Sequence, residues 1–235
     1  MAAPTFIQEA GDVWNTNAIS TASYTTPSFS VNSGDTLVAV GVTSDNSVTL
    51  TISSSTSVTW TQQQVVSVAS YCYVSLWTAP VTSTGSMTVT VTRSSAQVVL
   101  YGVNVLTFSA SDGVGASAKT NVSSGAPTLN LTTTQANSAI VVVNADWNSS
   151  DGASRTWRSN AGSLTEQTYF RDSSQYTVYA GYHADAGSVS TYAVGLSAPG
   201  SQKYSIAAVE IKGTTSAASP PPNSQMTRLI PLLQM

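Results

Sequence analysis

Gly34-Asp-Thr-Leu-Val-Ala-Val-Gly-Val-Thr43 and Asn137-Ser-Ala-Ile-Val-Val-Val-Asn-Ala145 decide the fold class of this chain. Both are β-type runs of valine and other small or branched residues, each entered from a turn signal. They are also echoes of one another. Pro27-Ser-Phe-Ser-Val31 precedes the first as Pro127-Thr-Leu-Asn-Leu131 precedes the second. Tyr73–Ala79 and Ser86–Thr92 are echoed by Val178–Ala184 and Thr191–Ser197, and Tyr101–Leu106 by Ser205–Ile211. A repeat of roughly a hundred residues is too long for a solenoid unit.

Working outward, the pattern predicts strands over Ser28–Val31, Thr36–Thr43, Val58–Val66, Tyr71–Ala79, Ser86–Thr92, Val98–Phe108, Thr128–Thr132, Ala139–Ala145, Tyr176–His183, Thr191–Leu196 and Tyr204–Lys212. Asn32-Ser-Gly-Asp35, Ser83-Thr-Gly85, Ser111-Asp-Gly113 and Ala198-Pro-Gly200 punctuate them. No stretch of helical length carries an i, i+3, i+4, i+7 apolar stripe. The fold class is all-β, a jelly-roll-like sandwich of two pseudo-repeats with an extended C-terminal tail. Two tandem sandwiches or one interleaved sandwich both fit. The single body over residues 1–213 (pseudo-repeats 1–108 and 109–213) is favoured, because Val98–Phe108 runs into Ser109-Ala-Ser-Asp-Gly113 with no linker. Linker composition occurs only at 214–225, ahead of an apolar peptide at 226–235.

Composition narrows the function. Only 8% of the 235 residues are charged, with a net charge of −3. Eight scattered basic residues give no electrostatic footprint for nucleic acid. No apolar run is long enough to insert in a membrane as a helix. The amino terminus has neither a basic nor an apolar signal region, so no secretory signal is expected. A lone Cys72 excludes an internal disulfide and reads as a buried strand thiol.

No catalytic, cofactor or metal motif emerges. His183 is the only histidine and is expected at a strand end, hydrogen-bonded. No nucleophile elbow accompanies it. Asp146, Asp151, Glu166, Asp172 and Asp185 offer acids for a hydrolytic pair only if two of them face each other. The richest surface patch is Asp146-Trp-Asn-Ser-Ser-Asp-Gly-Ala-Ser-Arg-Thr-Trp-Arg158. Trp147 and Trp157 could lie under sugar rings, with Asn148, Asp151, Arg155 and Arg158 gripping hydroxyls and Tyr182 extending the patch. The plainer reading makes the tryptophans plugs for the end of the sandwich, with Arg155 or Arg158 paired to Asp146 or Asp151.

The tail calls for a partner. Met226, Leu229, Ile230, Pro231, Leu232, Leu233 and Met235 belong to a ten-residue peptide that cannot bury its own side chains. Full burial of each large one is worth about 1.5–3 kcal/mol. Hung on a proline-rich spacer, the peptide reads as a docking segment.

Ala3-Pro-Thr-Phe-Ile-Gln-Glu-Ala-Gly-Asp-Val-Trp14, Val105–Ala116, Leu131–Val143 and Tyr204–Gly213 resemble stretches of minor tail proteins of long-tailed actinobacterial phages, mycobacteriophages in particular. The resemblance covers residues 1–213 and transfers no catalytic position. It implies a non-enzymatic virion protein present in several copies or as a homo-oligomer, bound to other phage virion proteins of the tail or capsid and touching host-surface glycan. The Ser/Thr-rich, lysine-poor, strand-rich body looks like a protein that works outside cells, and either release by lysis or a signal trimmed away would reconcile that with the lack of one.

Overall fold

The structure is a computed structural model that describes residues 2–14, 23–95 and 99–215. The first half forms β1 (Thr5–Trp14), β2 (Ser23–Thr25), β3 (Phe29–Val31), β4 (Thr36–Thr43), β5 (Leu50–Ser54), β6 (Thr61–Val66), β7 (Tyr73–Pro80), β8 (Gly85–Met87), β9 (Val89–Arg93) and β10 (Tyr101–Ser109). The second half forms β11 (Ser111–Gly125), β12 (Thr128–Thr132), β13 (Ala139–Asp146), β14 (Thr156–Trp157), β15 (Leu164–Asp172), β16 (Tyr176–His183), β17 (Thr191–Ala198) and β18 (Gln202–Gly213). The chain is all-β, and its named ladders are antiparallel.

The repeat is now visible as topology. One large sheet has the order β1-β10-β4-β7-β6, and the other has β11-β18-β13-β16-β15. Strand for strand, these are the same order. The smaller sheets β2-β9-β5 and β3-β8 cover the first, and β12-β17-β14 covers the second. Each half is thus a jelly-roll-like sandwich in its own right. Of the two arrangements open from sequence, the ladders follow the tandem one, since each named pairing stays within one half.

The core, however, is shared. Val38, Val40 and Val42 of β4 pack with Val141, Val143 and Ala145 of β13 in one apolar cluster between the two large sheets. Leu37 and Ala39 face the first lobe's own core, and Ile140 and Val142 the second's. Alternate side chains of a strand point to opposite faces, so a strand buried on both sides needs apolar residues throughout. That is why β4, β13 and β16 carry no exposed position. The stack brings β6 beside β11 and β1 beside β15, as a pseudo-twofold between the halves would place them. Ring contacts reinforce the seam: Phe6 stacks on Tyr182 at 4.6 Å, and Phe108 meets Tyr182 edge-on at 5.5 Å. Trp14 lies over Gly102, where a Cβ would run into its ring.

The four outer strands of the large sheets, β1, β6, β11 and β15, all carry register shifts, whereas the ladders joining β10, β4 and β7 and those joining β18, β13 and β16 carry none. Bulges twist an edge away from further pairing, which guards against edge-to-edge association. Lys119 adds a plug by donating from Nζ to the Val65 carbonyl at 2.7 Å across the seam.

Two boundaries need correction. The segment 111–113, expected as a turn, opens β11; Ala110, at φ 52°, makes the junction between lobes. Residue 214, expected as the start of the linker, belongs to the body. Thr214 pairs with Ala2, and the Thr215 amide donates to Asp112 Oδ2 at 2.8 Å. The rest of the linker and the docking peptide 226–235 lie outside the described residues.

Candidate functional site

The loop from Trp147 to Ser163 replaces the strand that β5 supplies in the first lobe, and it is anchored at both ends. Asp146, buried at the end of β13, accepts the backbone N–H groups of Asn148 (3.0 Å), Ser150 (2.8 Å) and Lys203 (2.9 Å). Its carboxylate is committed to the backbone, an ordinary use of aspartate at a turn. Arg155 forks onto Glu166 of β15 and donates to the Gly152 carbonyl at 3.0 Å. Its guanidinium also lies 4.0 Å from the Tyr169 ring centroid. Trp157 Nε1 donates to the same Glu166 at 2.7 Å. Burial works to raise the Glu166 carboxyl, but the bonds from Arg155 and Trp157 and the Arg155 charge hold it below the usual range.

The expected ion pairs are therefore exchanged for others. Arg155 takes Glu166 rather than Asp146 or Asp151. Asp151 lies 3.4 Å from Arg171 Nη1 and accepts the Ala153 amide at 2.9 Å. Arg158 donates from Nε to Thr128 Oγ1 at 3.1 Å.

The aromatic rings do not form one platform. Trp147 packs against the cluster between the large sheets, whereas Trp157 packs against the second lobe's inner core, on the opposite face of the same sheet. Tyr182 does not extend the patch at all. It shares a strand face with Val178 and Ala180, is only 7% exposed and is sandwiched with Phe6 and Phe108 between the lobes. Asn148 is exposed. The loop behaves as a closure whose polar groups bind each other.

A carboxylate pair escaped the sequence reading. Glu9 and Asp12 would fall on opposite faces of a regular strand, but the shift between Glu9 and Gly11 brings both to the seam. Asn104 of β10 donates from its amide to Glu9 and, at 3.1 Å, to Thr168 of the other lobe. Thr168 in turn donates to Asp12 at 3.0 Å, and Trp14 Nε1 donates to the same oxygen. Both acids keep contact with solvent; partial desolvation against the seam raises each, and the neighbouring Asp12 raises Glu9 further. The only advance sign was the glycine at position 11, which admits a bulge.

Glu210 is the opposite case. Fully buried on β18, it accepts the amides of Ala116 (2.8 Å), Thr134 (2.9 Å) and Gln135 (3.0 Å) and the hydroxyls of Thr134 (2.8 Å) and Ser138 (2.7 Å). Burial pushes its carboxyl up, but these donors outweigh it and hold the group below the ordinary value.

Cys72 sits in the shared core, where burial pushes its thiol well up. His183 lies buried with Nδ1 at 2.9 Å from the Gly162 carbonyl, and burial lowers its pKa. Among the described residues no three of His, Cys, Asp and Glu converge as metal ligands, and no helix is long and apolar enough to cross a membrane. Comparison with known proteins finds no matching family model, no matching curated protein and no matching solved structure.

Proposed function

We propose that this chain is a non-enzymatic structural protein of a bacteriophage virion, a minor tail protein carried in several copies and held on the particle by residues 226–235. One observation carries the reading. The stretches that resemble phage minor tail proteins supply most or part of β1, β10, β13 and β18, four of the ten strands of the stacked large sheets. Two lobes fused through a common dry core make a stiff block some four sheets deep, about 30 Å at a sheet spacing of ~10 Å. Such a block suits a load-bearing spacer better than a mobile enzyme. The loop at 146–158, with Arg155 bound to Glu166 of β15 and its tryptophans on separate faces, gives a glycan-binding role less support.

Deleting residues 219–235 tests the anchor. The shortened chain is expected to fold, by circular dichroism, yet to be missing from purified particles. Full incorporation of the deletion variant overturns the anchoring. Imaging particles with a label on the body then separates tail from capsid.

A further inference from the structure

Glu9 and Asp12 meet the seam between the lobes without a basic partner. Among the described residues neither carboxylate pairs with a Lys or Arg; an amide, a hydroxyl and an indole hold them instead. The amide is the hub. Asn104, wholly buried on β10, donates from Nδ2 to Glu9 and, at 3.1 Å, to Thr168 Oγ1, and it also bonds Asp12. A nitrogen with only two hydrogens therefore stands among three oxygen-bearing side chains, two from β1 and one from β15 of the other lobe. Two like charges held this close and partly desolvated oppose each other unless a cation joins them. The other end of the same amide is unsatisfied: Asn104 Oδ1, buried with the rest of its side chain, has no hydrogen-bond partner. Buried carbonyl oxygens normally find a partner. Nothing on that side fixes which way the amide lies, so the acids alone draw its nitrogen toward them.

We propose that Glu9, Asp12, Asn104 and Thr168 form a calcium site that bridges the two lobes. A half-turn of the Asn104 amide carries Oδ1 to the place of Nδ2, and the group that stood between the acids becomes a ligand beside them. Thr168 keeps its hydrogen on Asp12 Oδ1, 3.0 Å away, and frees the lone pair that accepted from the amide. The two carboxylates supply the negative charge for a divalent ion. Because both acids keep contact with solvent, water can complete a shell of roughly 6–8 oxygens.

The donor set selects the ion. Carboxylate, carbonyl and hydroxyl oxygens suit hard cations, whereas zinc favours imidazole and thiolate. Magnesium demands a near-octahedral shell, and calcium accepts the irregular one that a bulged strand offers. An ion here ties β1 to β15, edge strands of different sheets that meet across the seam with no ladder between them. The site does not depend on the virion reading.

Thermal melting and terbium luminescence of the full-length chain test this. At about 5 mM calcium chloride the melting temperature should rise by roughly 3–6 °C over the chelator-treated protein, for a dissociation constant of about 0.5 mM. Sodium chloride at the same ionic strength should not reproduce the rise. Trp14, whose Nε1 donates to Asp12, should sensitise the emission of bound terbium, and calcium should quench it by displacement. Asp12→Asn should melt no lower than the parent in chelator yet lose both signals, and Glu9→Gln should lose them too. Asp185→Asn, at a turn of the second lobe, should keep both. The proposal is overturned if calcium leaves the melting temperature unchanged and terbium is not sensitised. It is equally overturned if sodium chloride gives the same rise, if the response survives Asp12→Asn, or if Asp185→Asn abolishes it as fully.

Discussion

The two lobes share a strand order and differ in how they close. The first is sealed by β5, a five-residue strand laddered to β9. The second has only the two-residue β14 there and is sealed by side chains: Arg155, Glu166, Trp157, Asp151 and Arg171. The charge count follows. Residues 1–108 hold five charged residues (Glu9, Asp12, Asp35, Asp45 and Arg93), and residues 109–213 hold thirteen. Charge also ties loops to two interior strands of the second lobe, through Asp146 of β13 and Glu210 of β18. The framework thus depends on apolar strands buried on both faces, while charge is spent where a ladder is missing.

That contrast can be broken at several points. The largest effect is expected in the core that belongs to neither lobe alone. Phe108→Ala, at a fully buried ring between Phe6 and Tyr182, should cost about 3–5 kcal/mol. It should lower a single cooperative melting transition followed by calorimetry; two separate transitions would show lobes that fold independently. Next comes Glu210→Ala, which strands the donors gathered on one carboxylate and should cost about 2–3 kcal/mol in urea denaturation. Because the folded Glu210 carboxyl lies below its unfolded value, its contribution is present above the unfolded value. It is lost as pH falls through the folded one. The variant should therefore show a weaker acid-side loss of stability.

Glu9 and Asp12 carry the opposite sign. Their folded values are raised, so each favours the folded state below its unfolded value and ceases to do so as pH rises through the folded one. Asp12→Asn should leave stability at neutral pH equal or higher, read by the melting temperature at pH 5 and pH 7. A smaller loss is expected from Glu166→Gln, about 1–2 kcal/mol and partly removed by high salt, since the pair is about a quarter exposed. At the bottom of the scale, Thr51→Ala on the outer face of β5 should change stability by less than about 0.5 kcal/mol. A larger loss there would mean that the first lobe also leans on its polar surface.

Every interior strand was legible in the sequence, but only some edge strands were. Thr36–Thr43 and Tyr176–His183, inside their sheets, and Thr128–Thr132, at an edge, were read with the boundaries they have. The strands that were missed, β1, β2, β5, β11, β14 and β15, are each at the edge of a sheet. Edge strands face solvent, bend at bulges and tolerate glycine and charge, so the alternation that marks a strand is blurred. The site was legible only as a loop. Its residues were named, but Glu166, the group that organises them, was sought as a catalytic acid and proved to be the partner of Arg155 and Trp157.

Local chemistry alone determined that this chain is all-β, that it is duplicated, and that most of it is uncharged, because strand periodicity and repeated strings are written in consecutive residues. Only the tertiary structure decided that the halves pair their strands separately yet share a core, that Tyr182 is a seam residue rather than a ligand contact, and that Glu9 and Asp12 are linked through Asn104 and Thr168. Each of those outcomes depends on which face of a strand is covered. That is set by a bulge or by the packing of one sheet on another, and neither leaves a periodic mark in the sequence.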